Sequence, residues 1–198
     1  MDLGLISVHL RRCYFEFVTS RGVFSKRRLD RGTRLMIESM VLPDKGVLLD
    51  LGCGYGPIGI AASVFNPSLH VVMTDTNLRA VKLARINAKR NHVSNIQVFH
   101  GSLYDPVDEM FFDSIVSNPP LAAGFRKVIV PLVEGAYNHL NPGGYIQLVV
   151  RKSSGGKKIH DLMFSAFGSV ETIARGGGYR ILLSKRDRTS AVGSHSQA

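Results

Sequence analysis

The chain has 198 residues, of which 44% are hydrophobic and 20% are charged. These proportions are typical of one globular domain with a sizeable core, and they exclude an intrinsically disordered protein. No apolar run approaches the ~18 to 20 residues that span a bilayer. The first ten residues also lack the basic-then-apolar order of a signal peptide. We therefore expect a cytoplasmic protein that does not associate with membranes.

The formal net charge of +10 is concentrated in two parts of the chain. Residues 11–34 carry eight Lys or Arg against two acidic residues, and residues 151–188 carry nine against three, whereas residues 35–150 are nearly neutral. If the fold brings both basic parts around one cleft, they form a positive rim that suits a phosphate backbone. The alternative is a basic surface that serves only solubility.

The two cysteines, Cys13 and Cys53, are far apart in sequence and form no CxxC pair. This spacing suggests neither a zinc site nor a disulfide framework. We expect two free thiols and no metal.

Along the chain, residues 14–18 form a short predicted strand, and Asp30 or Gly32-Thr33 can start a helix through Met40. From residue 46 onward, apolar runs alternate with amphipathic segments, as in βαβ units. The predicted strands of this part are 46–51, 70–74, 96–100, 112–117 and 145–150. The predicted helices are 57–65, 78–91, 126–140 and 157–167, the third ended by a turn at Asn141-Pro142-Gly143-Gly144.

After these units, two further strands flank Gly176-Gly177-Gly178 and are expected to form an antiparallel hairpin. The pattern predicts an α/β, doubly wound, mostly parallel seven-stranded sheet with a C-terminal antiparallel hairpin and a short N-terminal extension. We expect a single domain over residues 1–185, with an N-terminal segment and helix at 1–40 and the core at 46–185. Residues 186–198 are predicted to be a tail.

A glycine loop, Gly52-Cys53-Gly54-Tyr55-Gly56, follows the first parallel strand and leads into a helix. Ligands of such sheets bind at this edge, and alternate glycines let the backbone approach a ligand closely. Asp75 ends the next strand, where a carboxylate can accept hydrogen bonds from both ribose hydroxyls. Its alternative role is to cap the helix that starts near Leu78. The pattern predicts a cofactor that carries a nucleoside.

The identity of that cofactor follows from the loop and its neighbour. The G-x-G-x-G spacing departs from the dinucleotide pattern G-x-G-x-x-G, and Asp50 adds negative charge that disfavours a pyrophosphate. S-adenosylmethionine, which carries a sulfonium and an amino group, fits these residues better than NAD. Residues 101–105, after the third parallel strand, are expected along the adenine edge.

Asn118-Pro119-Pro120-Leu121 ends the fourth parallel strand. Two consecutive prolines fix φ and remove two N–H donors, so the local carbonyls lack local partners. The asparagine oxygen and a rigid backbone carbonyl could then accept both hydrogens of a planar –NH2 group. The alternative interpretation is a turn that ends the strand.

With these residues, the chain resembles the class I S-adenosylmethionine-dependent methyltransferases, which have a Rossmann-like fold. More narrowly, it resembles the small-domain group that includes small-subunit rRNA guanine-N2 methyltransferases. Residues 49–56 are similar to the family's first cofactor motif, Asp75 to its ribose carboxylate, and Asn118-Pro119-Pro120 to the motif of enzymes that methylate exocyclic or amide nitrogens. Residues 22–25, 30–33 and 177–180 resemble the group's N-terminal segment and closing hairpin.

The resemblance implies methyl transfer to an exocyclic amino nitrogen of a base in RNA, with guanine N2 of small-subunit rRNA first and rRNA or a ribosomal subunit as partner. The alternatives are N5-glutamine methylation of a protein and a non-catalytic nucleic-acid-binding module. The implied catalytic residues are Asn118, Pro119 and Pro120. The implied cofactor-binding residues are Thr33, Asp50, Gly52, Cys53, Gly54, Gly56, Asp75, Thr76, Ser102 and Asn118.

Substrate binding is implied for Phe24, Leu121, Phe125, Lys26, Arg27, Arg28 and Arg180, with Lys157 and Lys158 as further phosphate contacts. The family commonly has an aromatic residue after the second proline to stack on the target base. This chain has Leu121 there, so another ring has to stack on the base, and Phe24 and Phe125 are the candidates.

Overall fold

The computed structural model describes residues 3–23, 28–120, 124–153 and 155–187. Its strands are β1 (Leu3–Leu10), β2 (Cys13–Ser20), β3 (Gly46–Leu51), β4 (Leu69–Asp75), β5 (Ile96–His100), β6 (Phe112–Ser117), β7 (Leu140–Arg151), β8 (Glu171–Gly176) and β9 (Tyr179–Lys185). Its α-helices are α1 (Arg31–Ser39), α2 (Pro57–Phe65), α3 (Leu78–Arg90), α4 (Val130–His139) and α5 (Gly156–Phe167). A 3₁₀ turn covers Asp105–Val107, and a π-helical turn at Phe125–Ile129 leads into α4.

Seven strands form one sheet in the order β5-β4-β3-β6-β7-β9-β8. Strands β3 to β7 are parallel, and β9 is antiparallel to both β7 and β8. This is the predicted doubly wound sheet with a C-terminal antiparallel hairpin, so the expected fold class is confirmed. The chain leaves β3 towards β4 on one side and returns to β6 on the other, which creates a switch point between β3 and β6.

Helices cover both faces of the sheet and bury an apolar cluster on each. On one face α1, α2 and α3 pack with residues such as Ile37, Ile60 and Val81, and on the other α4 and α5 pack with Val133 and Met163. The near-continuous apolar sequence of β3 reflects burial on both faces, as expected for a parallel strand between two helix layers. Within the described ranges, no helix is long and apolar enough to cross a membrane.

The N-terminal strand pair was only partly predicted. β2 is longer than the predicted 14–18, and β1 was missed, although its alternate residues Ile6, Val8 and Leu10 are buried. Asn87 of α3 holds the pair against the core, because its side chain accepts from the Val18 N–H at 2.7 Å and donates to the Val18 carbonyl at 3.0 Å.

The turn predicted at residues 141–144 was also wrong in part. Helix α4 does end before it, at His139, but residues 141–144 belong to β7, where they form an irregularity in its pairing with β6. They stay in the sheet because the Gly143 N–H donates to the Arg186 carbonyl at 2.9 Å and the Arg186 N–H donates to the Gly144 carbonyl at 2.8 Å. Arg186 is therefore fixed to the sheet, while the rest of the predicted tail lies, except for Asp187, outside the described residues.

Candidate active site

A cavity of about 670 Å³ opens at the switch point, beyond the carboxyl ends of β3 and β6, where the chain leaves the two strands in different directions. The two strand ends are held together because the Ser117 hydroxyl donates to the Leu51 carbonyl at 2.6 Å. The backbone N–H groups of Gly52 and Cys53 both donate to the Thr74 carbonyl at 2.9 Å, so the loop after β3 is also fixed to β4. The cavity therefore has a rigid floor of backbone from three adjacent strands.

The glycine loop forms one wall of this cavity. Gly52 and Gly54 have φ of 75° and 59°, which favour glycine, and a Cβ on either would meet no atom within 4 Å. Both residues line the cavity, so a ligand has room to approach their backbone. Gly56 also has a positive φ, but a Cβ there would lie 3.0 Å from Ile60, and the residue packs behind the loop, away from the described lining.

Asp75 lies at the end of β4 and lines the cavity beside the glycine loop. One carboxylate oxygen accepts from the Gly54 N–H at 2.8 Å, and the other accepts from the Asn77 N–H at 2.8 Å. Each oxygen retains a lone pair for a ligand hydroxyl. The alternative role for Asp75 was to cap α3. The N-cap of α3 is instead Asn77, whose side chain accepts from the Arg79 N–H at 3.0 Å.

Asp50 lies beneath the loop, only 1% exposed, and does not line the cavity. One of its oxygens accepts from the Gly59 N–H at 2.8 Å, and the other has no hydrogen-bond partner among the described residues. Burial raises the pKa of this carboxyl to about 7, and the nearby charge of Asp75 adds to the rise, while the Gly59 hydrogen bond opposes it. Asp50 is therefore not placed to contact a ligand in the cavity, as a cofactor-binding residue was predicted to do, and its hydrogen bond is to α2.

Asn118 follows β6 and lines the cavity with Pro119 and Pro120. Its side-chain nitrogen donates to Thr33 Oγ1 at 2.9 Å and to Asp30 Oδ2 at 3.1 Å. Both amide hydrogens are therefore used, and the amide oxygen remains available as an acceptor. The arrangement is rigid because the same Asp30 oxygen caps α1 by accepting from the N–H groups of Gly32 and Thr33 at 2.8 and 3.0 Å.

The remaining predicted site residues fall into three groups. Thr33, Cys53, Thr76 and Ser102 line the cavity. Phe125 packs against the apolar cluster beneath α4 and α5, and Arg180 lies on β9 outside the described cavity lining. Phe24, Lys26, Arg27 and Leu121 lie outside the described residues, and Arg28 lines a smaller neighbouring cavity.

The Cys53 thiol is buried, which raises its pKa well above its usual range, and both cysteines are free, as predicted.

Several cavity residues were not predicted from the sequence. Tyr179 at the start of β9 and Arg151 at the end of β7 lie on its wall. Leu103, which has a φ of 46°, also lines the cavity and belongs to the segment 101–105 that was expected there. Asp30 was interpreted only as a possible start of α1. Its hydrogen bond with Asn118 joins residues 88 positions apart in sequence, and no local sequence pattern predicts such a contact.

The chain is similar in sequence to a known protein family and to curated proteins. Residues 14–183 match the family model "Methyltransferase small domain". The chain is 36% identical to the uncharacterized protein YbxB of Bacillus subtilis (strain 168), over 91% of this chain and 90% of that protein. It is 32% identical to ribosomal RNA small subunit methyltransferase C of Photorhabdus laumondii, over 82% of this chain and 48% of that protein.

Among solved structures, the fold is similar to that of the T. thermophilus 16S rRNA N2 G1207 methyltransferase RsmC, in complex with AdoMet and guanosine. The TM-score is 0.83 and the identity is 25%, over 94% of this chain and 51% of that one. The chain thus spans about half the length of these ribosomal RNA methyltransferases. With a family match over residues 14–183 and a cavity whose glycine loop and Asp75 suit the methyl donor, the chain belongs to the methyltransferase small domain family and is an S-adenosylmethionine-dependent methyltransferase.

Proposed function

We propose that this protein methylates an exocyclic amino nitrogen of a base in RNA, with guanine N2 of small-subunit rRNA as the first candidate acceptor. The observation that carries the proposal is the fixed orientation of the Asn118 amide. Thr33 and Asp30 accept its two N–H groups, so its oxygen is available to accept from a planar amine.

The chemistry of the acceptor follows from this orientation. An amino group on a base is conjugated with the ring, which makes its nitrogen a poor nucleophile. If the Asn118 oxygen and the Pro119 carbonyl each accept one N–H, they hold the amine so that the nitrogen lone pair faces the donor. They also stabilise the positive charge that develops on the nitrogen as the new bond forms. Positioning of this kind can contribute ~7 to 11 kcal/mol to lowering the barrier.

The residues that would hold the methyl donor line the same cavity as Asn118. Asp75 would accept from the ribose hydroxyls, the open backbone of Gly52 and Gly54 would allow close approach, and Ser102 would lie along the adenine edge. When bound, S-adenosylmethionine supplies an electrophilic methyl group on its sulfonium. The predicted roles of Thr76 and Cys53 as cofactor contacts are part of the same proposal.

We assign Tyr179 to stack on the target base. It would take the place of the aromatic residue that the family commonly has at the position of Leu121. Of the aromatic residues in the described lining, Tyr55 is 2% exposed and packs against Phe17, whereas Tyr179 is half-buried on the rim. The other candidate, Phe125, is also partly buried, but it is not part of the described cavity lining. Base–aromatic stacking contributes roughly 1–3 kcal/mol per base, so Tyr179 would replace a substantial interaction.

RNA is favoured over a protein substrate by two observations. First, two of the similar proteins are named as ribosomal RNA methyltransferases. Second, the basic N-terminal and C-terminal parts of the chain meet beside the cavity, where Arg28 and Arg31 lie near Arg151. A base within a helix has to leave its stack to reach the cavity, so an unpaired or flipped nucleotide is the expected substrate.

The test uses labelled S-adenosylmethionine with small-subunit rRNA, with assembled small subunits and, separately, with ribosomal and release-factor proteins. We expect label on RNA, and nucleoside mass analysis should locate it on an exocyclic amino group. Label on protein alone would support glutamine methylation and overturn the RNA proposal. No detectable binding of S-adenosylmethionine by calorimetry would instead favour a non-catalytic module.

A further inference from the structure

A second, smaller cavity of about 270 Å³ adjoins the candidate active-site cavity. Its described lining is strongly basic and consists of Arg28, Asp30, Arg31, Arg151, Gly177 and Tyr179. Asp30, Arg151 and Tyr179 also line the larger cavity, so the two cavities share a wall. A group bound in the smaller cavity would lie directly beside the occupant of the larger one.

The fold brings this cavity together from three separate parts of the chain. Arg31 is the first residue of α1, Arg151 is the last residue of β7, and Tyr179 starts β9. They meet because α1 approaches the sheet very closely at Gly32, where a Cβ would lie 2.7 Å from Val149 and 3.0 Å from Tyr179. The Arg151 guanidinium lies over the Tyr179 ring at 5.9 Å from its centroid, which restricts its position.

The charges in the cavity favour an anion. The guanidinium groups of Arg31 and Arg151 line the cavity together with one carboxylate, that of Asp30. The Oδ2 atom of this carboxylate already accepts three hydrogen bonds, from Gly32, Thr33 and Asn118. In the part of the chain that the structure describes, neither Arg31 nor Arg151 forms an ion pair with an acidic side chain. Guanidinium groups bind phosphate with two parallel hydrogen bonds, which gives both strength and a defined orientation.

We propose that the smaller cavity binds a phosphodiester of the RNA adjacent to the target nucleotide, with Arg31 and Arg151 as its ligands. This inference rests on the proposed RNA methylation and gives that site a specific phosphate subsite. The shared wall explains its use: a phosphate held by Arg31 and Arg151 fixes the backbone of the nucleotide whose base enters the larger cavity. An anion could also come from the carboxylate of the methyl donor, and the experiment separates the two sources.

The experiment compares Arg31→Gln and Arg151→Gln with Lys82→Gln, a matched loss of one charge on the exposed face of α3. Binding of in vitro transcribed small-subunit rRNA is measured by fluorescence anisotropy over a range of salt concentrations, and binding of S-adenosylmethionine by calorimetry. We expect each arginine variant to bind RNA about tenfold more weakly, and to lower the slope of log Kd against log salt by about one. Affinity for S-adenosylmethionine should be unchanged, and Lys82→Gln should resemble the wild type.

Two results would overturn the proposal. Arginine variants that bind RNA as tightly as Lys82→Gln would show that the cavity holds no phosphate of the RNA. Weaker binding of S-adenosylmethionine with unchanged RNA binding would assign the anion to the carboxylate of the donor. Because RNA binding is measured without turnover, a wild-type protein that binds RNA but does not methylate it would contradict the proposed function while the variants still test the phosphate subsite.

Discussion

The side-chain nitrogen of Asn118 donates a hydrogen bond to Thr33 Oγ1 at 2.9 Å. Asn118 follows the fourth parallel strand, whereas Thr33 lies in the first turn of α1, so the bond joins the candidate catalytic residue to the N-terminal segment. This segment therefore contributes directly to the candidate active site, because it binds the nitrogen of the Asn118 amide.

Replacing Asn118 by alanine should lower kcat by ~10² to 10³, because one preorganised polar group that accepts from the amine is lost. Affinity for S-adenosylmethionine should be nearly unchanged, since Asp75 and the glycine loop remain. Single-turnover methylation of RNA measures the first effect and calorimetry the second. Asn141→Ala, which removes a hydrogen bond to Asp113 away from the cavity, is the matched control. Unchanged turnover in Asn118→Ala would remove this residue from the mechanism.

Thr33→Val tests the orientation of the amide rather than its presence. Valine has nearly the same shape as threonine but cannot accept from Asn118, so the amide loses one of its two anchors. A single hydrogen bond of this kind contributes about 0.5–1.5 kcal/mol, and we expect kcat to fall roughly 3- to 10-fold. Thr33→Ser retains the hydroxyl and should keep most of the activity. Equal activity of the valine and serine variants would show that the hydrogen bond does not matter.

The parts of the site that were predictable from the sequence are those tied to strand ends. Gly52 and Asn118 each follow a parallel strand, and Asp75 is the last residue of another. Because the carboxyl ends of adjacent parallel strands meet at one edge, the convergence of these residues on one cavity follows from topology. The glycines were recognisable by their alternate spacing, and Gly52 and Gly54 do adopt a positive φ, which favours this residue type.

The contacts that were not predictable join residues far apart in sequence. Asp30 has the local signature of a helix cap, and it does cap α1, but its second role depends on where β6 ends. Similarly, β1 has a short alternating pattern whose place in the fold depends on its pairing with β2, the strand that Asn87 of α3 binds. Tyr179 is an ordinary strand residue until β9 pairs with β7 beside α1. Tertiary packing, rather than local preference, decides these positions.

Asp75→Asn should weaken binding of S-adenosylmethionine at least about tenfold, because an amide replaces the two acceptor oxygens expected to hold the ribose hydroxyls. The new –NH2 group also has to face either the Gly54 or the Asn77 N–H, both of which are donors. Calorimetry gives the affinity, and urea unfolding shows whether the protein remains folded. Asp108→Asn, an exposed site near His139, should bind the donor like the wild type. A folded Asp75→Asn variant with wild-type affinity would contradict the assigned role.

Asn87→Ala should lower the free energy of unfolding by about 2–3 kcal/mol. The side chain is fully buried and bonds three backbone groups, the N–H and carbonyl of Val18 and the carbonyl of Tyr55. Alanine leaves these groups without their partner and also separates the β1–β2 pair from the glycine loop. Urea titration measures the change, and Lys89→Ala on the exposed face of α3 should alter stability by less than about 0.5 kcal/mol. If Asn87→Ala lowers the free energy of unfolding no more than this control does, the three hydrogen bonds do not stabilise the folded protein.

Asp50→Asn should change how stability depends on pH. Burial raises the pKa of Asp50 to about 7, above the value near 4 expected in the unfolded chain. Between these values the folded state holds a proton that the unfolded state has lost, so stability from this group is present below about pH 4 and is lost as the pH rises to about 7. The slope can reach about 1.4 kcal/mol per pH unit, and asparagine, which does not ionise, should remove it. The free energy of unfolding of the wild type and of Asp50→Asn is measured with urea at pH 5 and pH 8. From pH 5 to pH 8, the wild type should lose about 2–3 kcal/mol of stability relative to Asp50→Asn. A gap that is the same at both pH values would mean that Asp50 titrates equally in the folded and unfolded chains.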